Sequence, residues 1–443
     1  MAAMSSPVSE SRGARRSQVL SWVLYDCGAT GVNAIVVTFV FSVYLTSAVG
    51  KDLPGDTTPA SWLGRALTVA GIVVAVLAPV TGIWVDAAHR RRRALVTLTV
   101  VAAALVASTT LIRSDYHYLW AGLALLAMIA ACNDLATVPY NAMLAQLTTP
   151  KNSGRVSGAG LAVGYGGSVA LLLIVYLGFI VGDGGLLGLP TDDGQNVRAA
   201  MVLTSVWLLV FALPLLLTAP APPADPAHRP VRIAAAYRTL WAEVQAEWRR
   251  DRNVVYYLIA SAVFRDGLTG VFTFGAVLGV NVYGISPATV LLFGVAACLV
   301  AAAGAVAGGW LDDRIGAKPV IIGALSLMIV VGLTLMTLSG PLAFWVCGLL
   351  LCLFVGPTLS AARTQMLRIS NEGKEGVAFG LYTMTGRAAT FLAPALFALF
   401  IDVFHSDRAG MGGLCVVLIL GLLLMLGVKT PRGSADRAAD RQA

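Results

Sequence analysis

Long apolar runs recur along the chain, separated by short polar stretches. Twelve of them fall at residues 18–48, 62–85, 94–113, 117–146, 156–181, 199–219, 254–283, 288–311, 319–338, 342–366, 376–403 and 409–428. A helix needs about 20 apolar residues to cross about 30 Å of hydrocarbon. The pattern therefore predicts an all-α integral membrane protein with twelve transmembrane helices, numbered here as spans 1 to 12. Residues 1–17 read as a polar tail, 18–219 as a first six-helix half, 254–428 as a second half, and 429–443 as a second tail. Between the halves, the Pro-rich stretch 219–230 opens a linker over 220–253. Its apolar positions Ile233, Tyr237, Leu240, Trp241, Val244 and Trp248 have helical spacing. This predicts an amphipathic helix on the inner leaflet or against the underside of the bundle.

Composition fits a lipid solvent. Hydrophobic residues make up 57% of the chain and charged residues 12%, with a mean hydropathy of +0.79. A soluble chain carries roughly 25% charged residues. Charge placement then sets orientation. With the N-terminus inside, 23 of the 31 Lys and Arg residues fall in inward segments, against Lys51, Arg113, Arg198 and Arg408 outside. The positive-inside rule places both termini in the cytoplasm of a multi-pass cell (inner or plasma) membrane protein. The first span is too long for a cleaved signal sequence and is read as retained. The net charge of +8 is scattered over loops and a tail. It speaks for lipid headgroups as partners and against nucleic acid.

The usual catalytic and metal signatures are missing. Cys27, Cys132, Cys298, Cys347, Cys352 and Cys415 all lie in spans without a CxxC, and read as packing residues. His89, His117, His228 and His405 are far apart, and no HExxH, GxSxG or GxxxxGK[ST] occurs. No enzyme, metal site or cofactor is expected.

The two halves echo each other. Asp26 with Thr30-Gly31-Val32 pairs with Asp266 and Thr269-Gly270-Val271, GIWVDAAHRRR (82–92) with GWLDDRIGAKP (309–319), and Met143-Leu144 with Met366-Leu367. The offsets are 240, 227 and 223 residues. Three ordered matches point to a duplicated six-helix unit, as in one class of transporters.

These residues carry a family resemblance. Gly309, Leu311, Asp313, Arg314, Gly316 and Lys318 resemble the G-x-L-a-D-r-x-G-r-[RK] loop of the major facilitator superfamily, as do Gly82, Asp86, Arg90 and Arg91 in the first copy. Residues 21–45, 139–160 and 379–397 resemble the vacuolar amino-acid effluxer-like branch, with Cys27-Gly28-Ala29-Thr30 replacing part of its first-span YDWANSAF pattern. The resemblance implies two pseudo-symmetric halves rocking about a midplane site, with spans 1, 4, 7 and 10 lining the cavity. It also implies gating loops: Gly82, Asp86, Arg90 and Arg91 docking near 374–379, and Gly309, Asp313, Arg314, Gly316 and Lys318 docking near 155–160.

A charge inside the membrane is costly and calls for a reason. Asp26, Asp134 and Asp266 fall on spans 1, 4 and 7 and are the proton-coupling candidates. Low dielectric makes such a carboxyl hold its proton more tightly. The alternative reading is structural ion pairs, with Asp266–Arg387 one possibility and Asp134 with a base not identified. Asp26 has no basic neighbour evident in sequence, and Arg363 reads as snorkelling inward beside Arg368. Asn33, Asn133, Tyr140, Asn141, Arg265, Tyr382 and Arg387 are the substrate-binding candidates. Gly158, Gly160 and Gly164, and Gly304 and Gly308, read as close-packing faces. Pro139 and Pro394 are expected to bend their helices.

The expected function is a secondary transporter, functional as a monomer, for a small-molecule substrate. An amino acid is favoured, by proton-coupled (or other ion-coupled) alternating access with export favoured. Sugar or drug transport, a non-transporting receptor or scaffold, and an embedded enzyme are the competing classes. Paired gating loops and cavity acids favour the transporter.

Overall fold

The computed structural model describes residues 12–86, 88–147, 153–182, 184–218, 251–369 and 375–429, with isolated positions between 238 and 249. For some helical residues, among them Asp86, Asp313 and 375–380, only the backbone is described. Among the described residues there is no strand, and twelve helices are long and apolar enough to cross a membrane. Their outward faces carry exposed Val306, Val330, Leu342 and Leu423. Such a belt is stable only where lipid replaces water, because a helix already satisfies its own backbone polar groups.

The two halves repeat one packing pattern. Within the first half, span 1 packs on spans 5 and 6, span 4 on spans 2 and 3, and span 3 on span 6. Within the second half, span 7 packs on spans 11 and 12, span 10 on spans 8 and 9, and span 9 on span 12. Each pairing recurs six spans later, as the duplication predicts. The halves meet through span 2 against span 11, span 5 against span 8, and the upper part of span 1 against span 7.

Small residues permit the close approaches. A Cβ on Gly28 would meet Leu208 and Phe211 of span 6, and one on Gly267 would meet Leu418 and Val417 of span 12. Gly304 and Gly308 face the span 10 backbone and Pro357. Gly160 faces Trp22. These are the packing faces the glycine spacing predicts.

Two spans are irregular. Span 1 continues from the α-helix Arg12–Val32 into π-helical turns at Asn33–Phe39 and Leu45–Val49. Ser42, Thr46 and Ser47 hydroxyls donate to carbonyls one turn earlier, competing with regular backbone pairing. Span 11 breaks into Glu375–Ala388 and Leu392–Phe404. Pro394 explains the break: it lacks an N–H for the Thr390 carbonyl, and its ring crowds that carbonyl. The bend expected at Pro394 is therefore a complete interruption just before it. Pro139 lies inside the continuous helix Leu119–Leu147.

Of the linker, Ile233, Tyr237 and Leu240 lie outside the described residues. Trp241 and Trp248 are exposed, Arg252 lies 5.6 Å over the Trp248 ring, and Val244 packs on the core.

Candidate functional site

The cavity-facing stripe of span 1 is legible from exposure. Span 1 is encased by protein, yet Asp26 and Thr30 are partly accessible and Asn33 is exposed. Their i, i+4, i+7 spacing puts them on one face. On span 7 the corresponding stripe is Arg265, Thr269 and Phe272, all offset by 239 residues. Gly28 and Gly267, which pack on the last span of their own halves, share this offset. The structural register therefore matches Asp26 with Arg265, and corrects the sequence pairing of Asp26 with Asp266.

The glycines of spans 5 and 11 support this register. A Cβ on Gly164 would sit 2.9 Å from Asp26 Oδ2, and one on Gly386 would sit 2.7 Å from the Arg265 guanidinium. One acid and one base thus lie over equivalent glycines in opposite halves. Asp26 accepts a long hydrogen bond from Thr30 (3.4 Å). Arg265 donates to the Tyr382 carbonyl (2.9 Å) and lies 4.0 Å over that ring. Tyr382 is itself buried and acts as the platform under Arg265.

The remaining two acids are both engaged. Arg387 of span 11 forms an ion pair with Asp134 of span 4, joining the two halves. Asp266 has another role, in which its Oδ2 accepts the Ala393 N–H at 2.5 Å, with the Leu392 N–H as a second donor. It caps the outer segment of span 11 from a neighbouring helix. The side chain of that segment's own N-cap residue, Phe391, makes no such bond. The possible Asp266–Arg387 pair is therefore overturned, because the break before Pro394 leaves N–H groups that need an acceptor. The missing base for Asp134 is Arg387.

Nor is Asp26 without a cationic neighbour. Arg363 of span 10 lies in electrostatic reach of Asp26 and of Tyr165 on span 5. It is also exposed and one turn from the end of its span, as the snorkelling reading expects. Arg363 and Asn141 are both exposed, each directly after a buried residue, 222 positions apart and in matching places on spans 10 and 4. Asn133 is half-buried. Tyr140 is buried: it stacks on Trp22 at 4.4 Å and donates to the Trp22 carbonyl, while the Trp22 indole donates back to the Tyr140 carbonyl.

The loops after spans 2 and 8 hold their own halves together. Arg91 donates to the Ala142 carbonyl at the end of span 4, and Arg92 to the Leu216 carbonyl near the end of span 6. In the second half, Lys318 donates to the Leu426 and Val428 carbonyls at the end of span 12. Cations there meet the negative ends of helices. Arg314 stacks 3.5 Å over Trp310, Gly316 takes a positive φ (+88°), and buried Asp312 pairs with Arg368 at 2.7 Å. Arg90 is half-buried, and Gly309 faces open space. Gly82 lies within the helix Pro59–Asp86. The side chains of Asp86 and Asp313, and nearly all of those they were expected to reach, lie outside the described residues.

A second polar cluster joins the halves on the face away from the termini. Asp402 of span 11 accepts from Arg65 (2.5 Å) and from Ser61 of span 2. Asp407 accepts from Thr58 (2.6 Å) and from Asn281 (3.3 Å). Below this cluster Gly71 lets span 2 approach the break in span 11, where a Cβ would meet the Phe391 backbone at 2.7 Å. On the termini face, the hydrogen bonds of Arg92 and Lys318 stay within one half. The sequence reading missed Arg65, Ser61 and Asp402. Their signal was weak: one charge near each span end.

A twelve-helix duplicated bundle with charges converging between its halves defines a membrane transporter of the major facilitator type. The solved structures it resembles agree. The crystal structure of a D-xylose–proton symporter has a TM-score of 0.68 at 15% identity, covering 95% of this chain and 98% of that one. A bacterial homologue of the human lysosomal transporter Spinster, in an inward-facing unoccupied conformation, has a TM-score of 0.59 at 14% identity, covering 94% and 95%. At such identities the likeness shows the fold.

A sequence profile described as "Vacuole effluxer Atg22 like" matches residues 53–438, and the chain belongs to that family. The MFS-type transporter YxiO of Bacillus subtilis is 21% identical over 413 residues, covering 91% of this chain and 93% of the relative. Autophagy-related protein 22 of Yarrowia lipolytica is 24% identical over 315 residues, covering 64% of this chain and 52% of the relative. The chain spans about half the length of that fungal relative.

Proposed function

We propose that this protein is a proton-coupled secondary transporter that exports an amino acid by alternating access, acting as a monomer in the cell membrane with both termini cytoplasmic. The observation that carries this reading is the pair of breakable polar links between the halves. Asp134–Arg387 joins them in the membrane interior, and Arg65–Asp402 joins them at the far face. A rigid scaffold gains nothing from intramembrane charges on opposite rocking bodies, whereas a transporter needs contacts that form on one side as they break on the other. In this reading, closure of the far face belongs to the inward-facing half of the cycle. Residues 18–219 and 254–428 are the rocking bodies and 220–253 is their tether. The Atg22-like membership favours efflux, and the amino-acid choice follows the resemblance of residues 21–45, 139–160 and 379–397 to the effluxer-like branch.

Asp26 is the proposed proton carrier. Asp134 is occupied by Arg387 and Asp266 by a helix cap, which leaves Asp26 as the cavity acid with a single weak hydrogen bond among the described residues. Purified protein in liposomes, given each of the twenty L-amino acids and a pH gradient of either sign, tests the reading. Uphill accumulation that disappears in Asp26→Asn, with exchange surviving at raised substrate concentration, is expected. Accumulation of no amino acid under either gradient would refute it.

A further inference from the structure

The ion pair between the halves inside the membrane is engaged at one point only. Arg387 Nη1 donates to Asp134 Oδ1. Among the described residues, that is the one hydrogen bond the Arg387 guanidinium makes and the one the Asp134 carboxylate accepts. A guanidinium has five N–H donors and a carboxylate two oxygens, and they meet most strongly as a two-bond fork. Here a single prong is in use, which leaves Asp134 Oδ2 and the other Arg387 donors open. The Arg387 and Asp134 side chains are 28% and 29% exposed, so a ligand can reach these atoms.

The polar groups around the pair are committed elsewhere. The hydroxyls of Thr137, Thr385 and Thr390 donate to carbonyls of their own spans. Asp266 lies in electrostatic reach of Asp134, but its Oδ2 holds the Ala393 N–H. Arg265, next to Asp266, is seated on Tyr382 and bonded to its carbonyl. Leu135, next to Asp134, packs in an apolar cluster with Ala70 and Val74 of span 2. Open charge-bearing atoms in such surroundings are costly unless water or a ligand completes them.

We infer that Asp134 and Arg387 form a two-point site for a zwitterion, whose carboxylate completes the fork on Arg387 and whose ammonium takes the open oxygen of Asp134. This rests on the transporter reading above and names the residues that recognise the amino acid. Four alternating charges then close a ring, each beside two of opposite sign. Neutrality selects the ligand. The empty pair carries no net charge and a zwitterion adds none, so the halves can close over the site empty or loaded. An amine or an acid alone leaves one charge uncompensated in the closed site, which is strongly unfavourable. Asp134 and Arg387 belong to opposite halves, so a ligand held by both ties the halves together where the pair already joins them.

Binding to the full-length protein in detergent, read as thermal stabilisation, is the first test. The probes are the strongest responder among the twenty L-amino acids, the amine that lacks its carboxylate, and the acid that lacks its ammonium. The parental protein should bind the amino acid at least about tenfold more tightly than either fragment. Arg387→Gln should weaken the amino acid by roughly tenfold to a hundredfold and leave Asp134 to favour the amine. Asp134→Asn should weaken it similarly and leave Arg387 to favour the acid. A purely structural ion pair would lower the affinity for all three probes together, without inverting the order of preference. The double variant, Asp134→Asn with Arg387→Gln, leaves no unpaired charge and keeps the test open if a single variant does not fold. It should bind the three probes alike. An order of preference unchanged from the parental protein in these variants would overturn the assignment.

Uptake into liposomes separates the site from the transporter reading it rests on. With the responding amino acid and a pH gradient of either sign, Arg387→Gln should raise KM by about the factor by which it weakens binding. An unchanged KM in Arg387→Gln, with uptake intact, would overturn the two-point site and leave the transporter reading standing. Neither binding nor uptake of any of the twenty amino acids by the parental protein would remove both.

Discussion

Removing the far-face link should shift the protein toward its outward-facing state. In Asp402→Ala two interactions disappear together: the ion pair to Arg65 at 2.5 Å and the hydrogen bond from Ser61. The Arg65 and Asp402 side chains are 41% and 26% exposed, so solvent weakens the pair. An exposed ion pair contributes about 0.2–1 kcal/mol and a hydrogen bond about 0.5–1.5 kcal/mol. Their loss amounts to about 1–2 kcal/mol, or about a 5- to 30-fold shift in the ratio of closed to open far faces. The protein should stay folded, because both interactions lie between the halves. Thr58–Asp407 and the close packing at Gly71 still oppose full opening. Spin labels on Asp56→Cys and Ser406→Cys, both exposed on the far face, would report the separation. Asp402→Ala should enlarge the long-distance population, and Arg65→Ala in the same background should add little, since the pair is already broken. An unchanged distance distribution in Asp402→Ala, with an unchanged melting temperature, would refute the latch.

Asp266→Ala should lower the detergent melting temperature, because it strips the cap from the outer segment of span 11, at about 0.5–2 kcal/mol. Asp266→Asn, which keeps an acceptor oxygen, should be milder; equal damage from both would argue against a capping role. Double-mutant analysis of Asp134→Asn and Arg387→Met should give a coupling energy of about 0.5–3 kcal/mol in thermal unfolding. Strict additivity would mean the pair contributes nothing. Gly386→Ala should reduce transport with little loss of stability, because the new methyl group displaces only the mobile end of Arg265, whereas Gly164→Ala crowds both Asp26 and the stiffer Thr30 and should cost more stability. Liposome uptake and melting curves on the same preparations separate this from misfolding.

The split between legible and illegible residues follows the range of the forces involved. Asp26, Thr30 and Asn33 share a face because a helix repeats every 3.6 residues, so their common exposure could be read along the chain. The glycine faces of spans 5 and 8 were readable for the same reason. Pairing could not be read so. Arg387 and Asp134 are 253 positions apart, and Arg387 was equally compatible with Asp266 until helix packing chose between them. The role of Asp266 depended on the break in span 11, which Pro394 makes intelligible but does not aim at span 7. Arg363 looked like an ordinary cation near a span end; only the tertiary structure brings it into electrostatic reach of Asp26.

What the sequence determined by itself was the solvent, the number of spans, and the duplication. Each follows from local quantities: apolar length against bilayer thickness, and motifs repeated in order. Which charges meet was decided by the tertiary structure alone. An isolated span with a buried charge is unstable in lipid, and the compensating group comes from whichever helix packs beside it, often in the other half. The same holds for the register of the repeat. The sequence aligned Asp26 with Asp266 because both are acids. The packing aligned it with Arg265, because equivalent glycines, and not equivalent charges, fix how the helices of each half approach one another.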